Sequence, residues 1–258
     1  MTNQFEHVPV SVEGKTAVVV GGTSGIGRAI ARAFAADGAA VVASSRTESS
    51  VEATTEELRS LGSPSVAVTC DVTDRDSLEA LYEATVDEFG GVDVLVNSPS
   101  AIARRGVLDV TEAEWASVLD VQLTGVFRAC QTFARGMDEG SIVNIASLSS
   151  VVTMANLVAY STAKGAVDAF TRTAAKELAP EIRVNAIRPG YVATPQTADA
   201  YAEGSYRYER IRERAPMGRM ADPREIAGAA VYLASDAASY TTGEILTVDG
   251  GFAASAFE

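Results

Sequence analysis

The sequence predicts one α/β domain built on a doubly wound parallel sheet of about seven strands, with helices on both faces. Three observations carry this reading. Short β-branched runs, almost wholly apolar, fall at 16–20, 39–43, 66–69, 92–96, 141–145, 183–187 and 245–248. Strands that apolar are covered on both faces. Helix-length amphipathic segments lie between them, near 25–37, 48–61, 74–89, 111–136, 158–179 and 222–234, and such alternation implies right-handed βαβ crossovers. A glycine-rich turn joins the first strand to the first helix. No repeat, low-complexity tract or Pro/Gly-rich linker divides the 258 residues, so 1–258 reads as a single domain.

That first turn reads Gly21-Gly22-Thr23-Ser24-Gly25-Ile26-Gly27. Glycines allow a tight turn and a close backbone approach, and the following helix offers unpaired N–H groups at its positive end. In this strand–turn–helix context the sequence predicts a dinucleotide pyrophosphate site, formed by Gly21, Thr23, Ser24, Gly25, Ile26 and Gly27. The spacing is Gly-x3-Gly-x-Gly. At the end of the second strand, where an acid would hold a ribose 2′-hydroxyl, the chain has Ser44-Ser45-Arg46-Thr47. Ser45 and Arg46 suit a 2′-phosphate, so NADP is favoured, and the nearby Glu48 keeps NAD open. Asp71 and Val72 end the third run, where they could meet an adenine ring; Asp71 could also cap the helix at 74–89.

Further on, 111–136 reads as one long helix, and 158–179 carries Tyr160-Ser161-Thr162-Ala163-Lys164. Tyr160 and Lys164 are i and i+4, on one helix face. A nearby ammonium stabilises a phenolate and is expected to lower the tyrosine pKa toward neutrality. Ser147, closing the fifth run, can hydrogen-bond a substrate oxygen. The segment 194–216 is polar and tyrosine-rich (Tyr201, Tyr206, Tyr208). It reads either as a lid over a ligand on the carboxyl side of the sheet or as a solvated surface helix.

Composition narrows the alternatives. There are 34 acidic against 21 basic residues, a formal net charge of −13, which repels phosphate backbones and argues against nucleic acid as a partner. Lysine occurs only as Lys15, Lys164 and Lys176. A surface so acidic and lysine-poor suits a halophilic setting, with an ordinary acidic cytosolic protein as the alternative. Cys70 and Cys130 read as buried thiols in a reducing compartment. The single histidine, His7, excludes a Ser-His-Asp hydrolase and a histidine-based metal site. No apolar run reaches about 18 residues, and MTNQFEH lacks the pattern of a signal peptide. A cytoplasmic protein with no membrane partner is expected.

These motifs together resemble the short-chain dehydrogenase/reductase family over essentially the whole chain. Gly21, Gly25 and Gly27 match its TGxxxGxG turn, with Val20 in place of the threonine. Asn97 opens its NNAG element, here Asn97-Ser98-Pro99-Ser100. Ser147, Tyr160 and Lys164 match its catalytic serine and YxxxK pair. Asn185, Pro189, Gly190 and Thr194 match VNxxxPG-xxxT, and Val248-Asp249-Gly250-Gly251 matches VDGG. The resemblance implies a Rossmann-type fold and an NAD(P)-dependent oxidoreductase. Tyr160 would be its general acid/base, and Lys164 would also hold the nicotinamide ribose. Thr194 and the Val192 backbone would hold the carboxamide. The family's fourth catalytic residue, an asparagine, is Gln122 here; the expectation is that Gln122 still binds the relay water.

Within the family, several stretches resemble gluconate 5-dehydrogenases and 2-keto-3-deoxygluconate dehydrogenases: Arg104-Arg105, 142–147, and 189–194 with Thr197. That likeness implies a small-molecule sugar acid as substrate, with Arg104 clamping its carboxylate. The alternatives are a 3-oxoacyl-carrier-protein reductase, another alcohol dehydrogenase of the family, and a catalytically silent dinucleotide sensor. The family also implies a homotetramer, in which helices 111–136 and 158–179 pair across a dimer interface and the C-terminal segment builds a second contact.

Overall fold

The structure is a computed structural model and describes residues 7–255. The leader at 1–6 and the last three residues lie outside the described residues. In chain order the elements are β1 (Thr16–Val20), α1 (Gly25–Ala36), β2 (Ala40–Ser44), α2 (Glu48–Ser60), α3 (Arg75–Phe89), β3 (Val94–Asn97), α4 (Glu112–Leu119), α5 (Gly125–Ala134), β4 (Gly140–Ile145), α6 (Val158–Leu178), β5 (Ile182–Pro189), α7 (Pro195–Ala198), α8 (Tyr206–Arg214), α9 (Pro223–Ala234) and β6 (Ile245–Val248). The six strands form one parallel sheet in the order β2-β1-β3-β4-β5-β6.

Alternation along each strand sends side chains to two cores. Ala17 and Val19 of β1 pack with Ile30, Phe34, Ile226 and Leu233 of α1 and α9. Val18 and Val20 pack with Leu78, Leu81 and Phe133 of α3 and α5 on the other face. Each of the large apolar groups contributes about 1.5–3 kcal/mol through burial. The chain leaves β1 toward β2 and later returns to β1's other side as β3. The crevice at the carboxyl ends of β1 and β3 is therefore the topological switch point, where ligands bind in such sheets.

Two elements differ from the sequence reading. No strand forms at 66–69. The stretch running up to it is Ser63-Pro64-Ser65, and Pro64 has no N–H to give a ladder. The serine hydroxyls donate instead: Ser63 Oγ to the Ala39 carbonyl (2.7 Å) and Ser65 Oγ to the Val41 carbonyl (2.6 Å). Val41 N–H donates to the Pro64 carbonyl (2.9 Å), and Cys70 N–H to the Ser45 carbonyl (3.0 Å). The second difference lies in the helix expected at 111–136. It is broken by a single π-helical turn, Asp120–Thr124, between α4 and α5.

Candidate active site

A cleft of about 360 Å³ runs across the carboxyl ends of the strands, within the range of small-molecule sites. At one end lies the glycine turn. Gly21 has φ +77°, and a Cβ there would collide with the Ser98 carbonyl, so only glycine lets the turn after β1 pass so close to the Ser98 backbone. Ser24 precedes α1 in extended conformation and makes no side-chain cap, and the first turn carries no acid. Ser24, Gly25 and Ile26 thus present uncapped N–H groups to the cleft, the arrangement that binds an anion. Thr23 Oγ1 donates to Ser45 Oγ (2.9 Å), and the exposed Arg46 stands beside them on the cleft wall.

Asp71 and Val72 line the same end. Asp71 Oδ1 accepts from Thr73 N (3.0 Å) and Thr73 Oγ1 (2.7 Å). The Thr73 backbone N–H holds its carboxyl below the ordinary range, with Arg46 adding to that effect. Asp71 does not cap α3. That cap is Asp74, which accepts from Asp76 N (3.1 Å).

At the other end stand Ser147, Tyr160 and Lys164. Ser147 Oγ accepts from Ser149 N (3.2 Å) and Ser149 Oγ (3.0 Å). Lys164 Nζ lies 5.7 Å from the Tyr160 ring centroid and donates to the Ile145 carbonyl (2.6 Å). Burial pulls the Lys164 pKa from 10.5 down to about 7, and the charge of Asp168, one helical turn on, partly offsets this. Burial raises the Tyr160 phenol above its ordinary 10, against the Ser147 hydrogen bond and the Arg104 charge, which lower it. The expected lowering by Lys164 is therefore not the dominant effect. Desolvation governs both groups.

Pro189, Gly190, Val192 and Thr194 line the wall between the two ends. Thr194 begins α7 in a capping box with Thr197, whose Oγ1 also donates to the Val192 carbonyl (2.7 Å). Arg104 lines the cleft, is exposed, and has no ion-pair partner among the described residues. Its neighbour Arg105 instead pairs with Glu114 at 3.4 Å.

Three of the expected residues stand behind the lining. Gly27 packs so closely that a Cβ would strike the Gly21 carbonyl. Asn97 is buried, and its Nδ2 donates to Asn144 Oδ1 (2.9 Å). Gln122 sits fully buried in the π turn. Its Nε2 donates to the Ala101 carbonyl (3.0 Å), and its Oε1 makes no hydrogen bond.

The segment 194–216 folds as α7 and α8 beside the cleft mouth. Tyr201 lines the cleft and meets Tyr191 edge-on at 5.3 Å, and Ser100 Oγ donates to Gln196 Oε1 (3.1 Å) across the opening. Sequence reasoning missed Ser149 and the wall residues Met154 and Tyr191. Ser149 lay two residues beyond a recognised serine, Tyr191 lay inside the recognised 189–194 stretch without a role of its own, and Met154 carried no pattern.

The sequence profile of a family described as enoyl-(acyl carrier protein) reductase matches residues 20–253. A cis-4-hydroxycyclohexanecarboxylate dehydrogenase from Sinomonas cyclohexanicum is 42% identical over 93% of this chain and 97% of its own. A 3-oxoacyl-(acyl-carrier-protein) reductase from Vibrio cholerae is 37% identical over 94% and 98%. Among solved structures, a Beutenbergia cavernae protein assigned as an NAD(P)-dependent gluconate 5-dehydrogenase, with NADP bound at low occupancy, superposes with TM-score 0.90. It is 41% identical and covers 96% of this chain and 100% of its own. The chain belongs to the short-chain dehydrogenase/reductase family. It is an NAD(P)-dependent oxidoreductase acting on CH–OH groups.

Proposed function

We propose that this enzyme interconverts a secondary alcohol and a ketone on a sugar acid, of gluconate or 2-keto-3-deoxyaldonate type, with NADP favoured over NAD. The observation that carries this reading is the exposed Arg104 on the wall of a cleft that also holds Ser147, Tyr160 and Lys164, its charge acting on Tyr160. An unpaired guanidinium there can take a carboxylate through two hydrogen bonds. The carboxylate-bearing substrate in the Sinomonas enzyme's name and the Beutenbergia assignment support the same choice.

The uncapped start of α1 fits a pyrophosphate, and Thr23, Ser45 and Arg46 fit a 2′-phosphate. The nicotinamide would supply or accept the hydride. Tyr160 donates its phenolic proton to the carbonyl oxygen during reduction and takes it back during oxidation. Ser147 Oγ holds that oxygen in line, and Ser149 fixes the orientation of Ser147. Lys164, titrating near neutrality, returns the proton to the tyrosine, and Gln122 Oε1 is the buried acceptor behind this relay. Asn97 holds β3 to β4 beneath the site. Thr194 and the Val192 backbone orient the carboxamide, Asp71 and Val72 border the adenine, and α7 with α8 forms the lid.

By the same family relation the chain assembles as a homotetramer, with one contact through α4, α5 and α6, where Phe127 is 40% exposed and packs edge-on against Phe170, and a second built by the C-terminal segment. The acidic, lysine-poor surface supports a high-salt setting.

The test is turnover at 340 nm on a panel of sugar acids and neutral polyols. Arg104→Ala should raise KM for the acids at least tenfold, the equivalent of about 1.4 kcal/mol, and leave the polyols unchanged. Equal effects on both would remove the carboxylate clamp. Tyr160→Phe should abolish turnover with every substrate; retained activity would overturn the proton-transfer assignment.

A further inference from the structure

Behind Ser147 the chain leaves the sheet. Ala146 N–H still donates to the Ile187 carbonyl of β5 (2.8 Å), and Ser147 then begins one turn of 3-10 helix, Leu148–Ser150. The backbone bonds of this turn are local. Ser150 N–H donates to the Ser147 carbonyl (2.9 Å), and Val151 and Val152 N–H donate to that of Leu148 (3.1 and 2.9 Å). Leu148 is buried with Ala215 and Phe252, a contact that carries no direction of its own. Burial of that kind fixes how deep the turn sits and leaves its rotation free, and Ser147 Oγ rotates with it.

Arg188 supplies the missing direction. It stands on β5 opposite Thr247 of β6, and each arm of its guanidinium goes to a different element. Nε donates to Ser150 Oγ at the end of the turn (2.9 Å), Nη1 to Thr247 Oγ1 (3.1 Å) and Nη2 to Asp168 Oδ2 of α6 (2.6 Å). The guanidinium is planar, so gripping two arms fixes the third. The pair with Asp168 is buried on both sides, where a charge-assisted bond is short and strong. Tyr160, Lys164 and Asp168 follow at four-residue steps along one face of α6. Arg188 therefore joins the end of the serine turn to the helix face that carries Tyr160 and Lys164. The Ser147 side chain meets Tyr160 from the other end, which closes a ring of contacts around the reacting groups.

We propose that Arg188, gripped by Asp168, is a positioning residue: through Ser150 it sets the rotation of the Leu148–Ser150 turn, and with it the place of Ser147 Oγ relative to the Tyr160 hydroxyl. Arg188, Asp168 and Ser150 stand behind the cleft wall and outside its lining, so the effect on the substrate passes through Ser147. The inference rests on the roles given to Ser147 and Tyr160 in the proposed function. A misplacement of about 1 Å among reacting groups costs about a hundredfold in rate, so the loss of one anchoring bond is measurable.

The experiment compares wild type, Ser150→Ala and Ser150→Thr in the reduction of keto sugar acids, a cyclic ketone and an aryl ketone by NADPH or NADH, using the pair that wild type turns over fastest. Ser150→Ala deletes the anchoring oxygen and leaves Arg188 paired with Asp168. Its Tm should fall by no more than about 4 °C, the loss of one hydrogen bond in a chain of this size. Its kcat should fall about tenfold, part of the loss that misplacement brings, while KM for the cofactor stays unchanged, because the pyrophosphate end of the cleft does not depend on the turn. Ser150→Thr restores the hydroxyl and should recover most of kcat. An unchanged kcat in Ser150→Ala, equal losses in the alanine and threonine variants, or a kcat loss matched in cofactor KM would overturn the positioning role. Two controls separate this from the reading beneath it. If Ser147→Ala or Tyr160→Phe keeps full turnover, that reading fails and takes the positioning role with it. If both abolish turnover while Ser150→Ala runs as fast as wild type, the positioning role alone falls.

Discussion

Replacing Asp168 by asparagine keeps the shape of the side chain and removes its charge, and two measurable effects follow. Asp168 Oδ2 pairs with Arg188 Nη2 at 2.6 Å, with side-chain exposures of 6% and 13%. Arg188 is itself held by Ser150 Oγ (2.9 Å) and Thr247 Oγ1 (3.1 Å), so it cannot swing into water when its partner is lost. Breaking one side of so buried a pair costs about 3–5 kcal/mol. For a chain of this size that is a fall in Tm of about 6–20 °C. The second effect is electrostatic: Asp168 raises the proton affinity of Lys164, so its neutralisation moves the lysine's titration to lower pH. Differential scanning calorimetry gives the first quantity, and the pH profile of kcat the second. A Tm within 2 °C of wild type, together with an unmoved pH profile, would refute the argument.

Three further outcomes are expected. Lys164 titrates near 7 in the fold and near 10.5 when unfolded, so the unfolded chain holds more protons between those values and stability rises with pH there. Cys70 and Cys130, raised by burial to about 11 and about 12, oppose that trend above 9. Urea midpoints should therefore climb from pH 7 to 9 in wild type and stay flat in Lys164→Met; parallel curves would contradict the buried-lysine assignment. Gln122→Ala strands the Ala101 carbonyl, costing about 1–3 kcal/mol. It should lower kcat and alter its pH profile, with recovery in Gln122→Asn; unchanged kinetics would remove Gln122 from the relay. Arg46→Ala should raise KM for NADP about tenfold, the low end for an exposed charged hydrogen bond, and leave NAD unaffected; equal changes for both would reassign Arg46 to the surface.

The sheet and the glycine turn were legible because their causes are local: apolar runs of strand length, and a turn that tolerates no Cβ at Gly21. Ser147, Tyr160 and Lys164 were legible for a similar reason, since helix spacing joins two of them. What could not be read depended on groups distant in sequence. The π turn at Gln122 lies among residues of ordinary helical preference, and Gln122 is tied to Ala101, 21 residues away. Asp168 and Arg188 are 20 residues apart on different elements. The Lys164 shift arises from complete enclosure, which spacing does not reveal. At 66–69 the β-branched pattern was real, but the preceding proline and serines decided the pairing.

The serine-bonded border along β2 has a consequence for the protein's colloidal behaviour. An outermost strand normally displays a row of open N–H and C=O groups that another chain can extend into a larger sheet. Here Ser63 and Ser65 occupy the carbonyls of Ala39, just before β2, and of Val41 within it, and Pro64 offers no N–H in return. A foreign strand arriving at that border finds its acceptors already taken and a ring where a donor should be. The segment thus blunts that border of the sheet against the addition of a further strand.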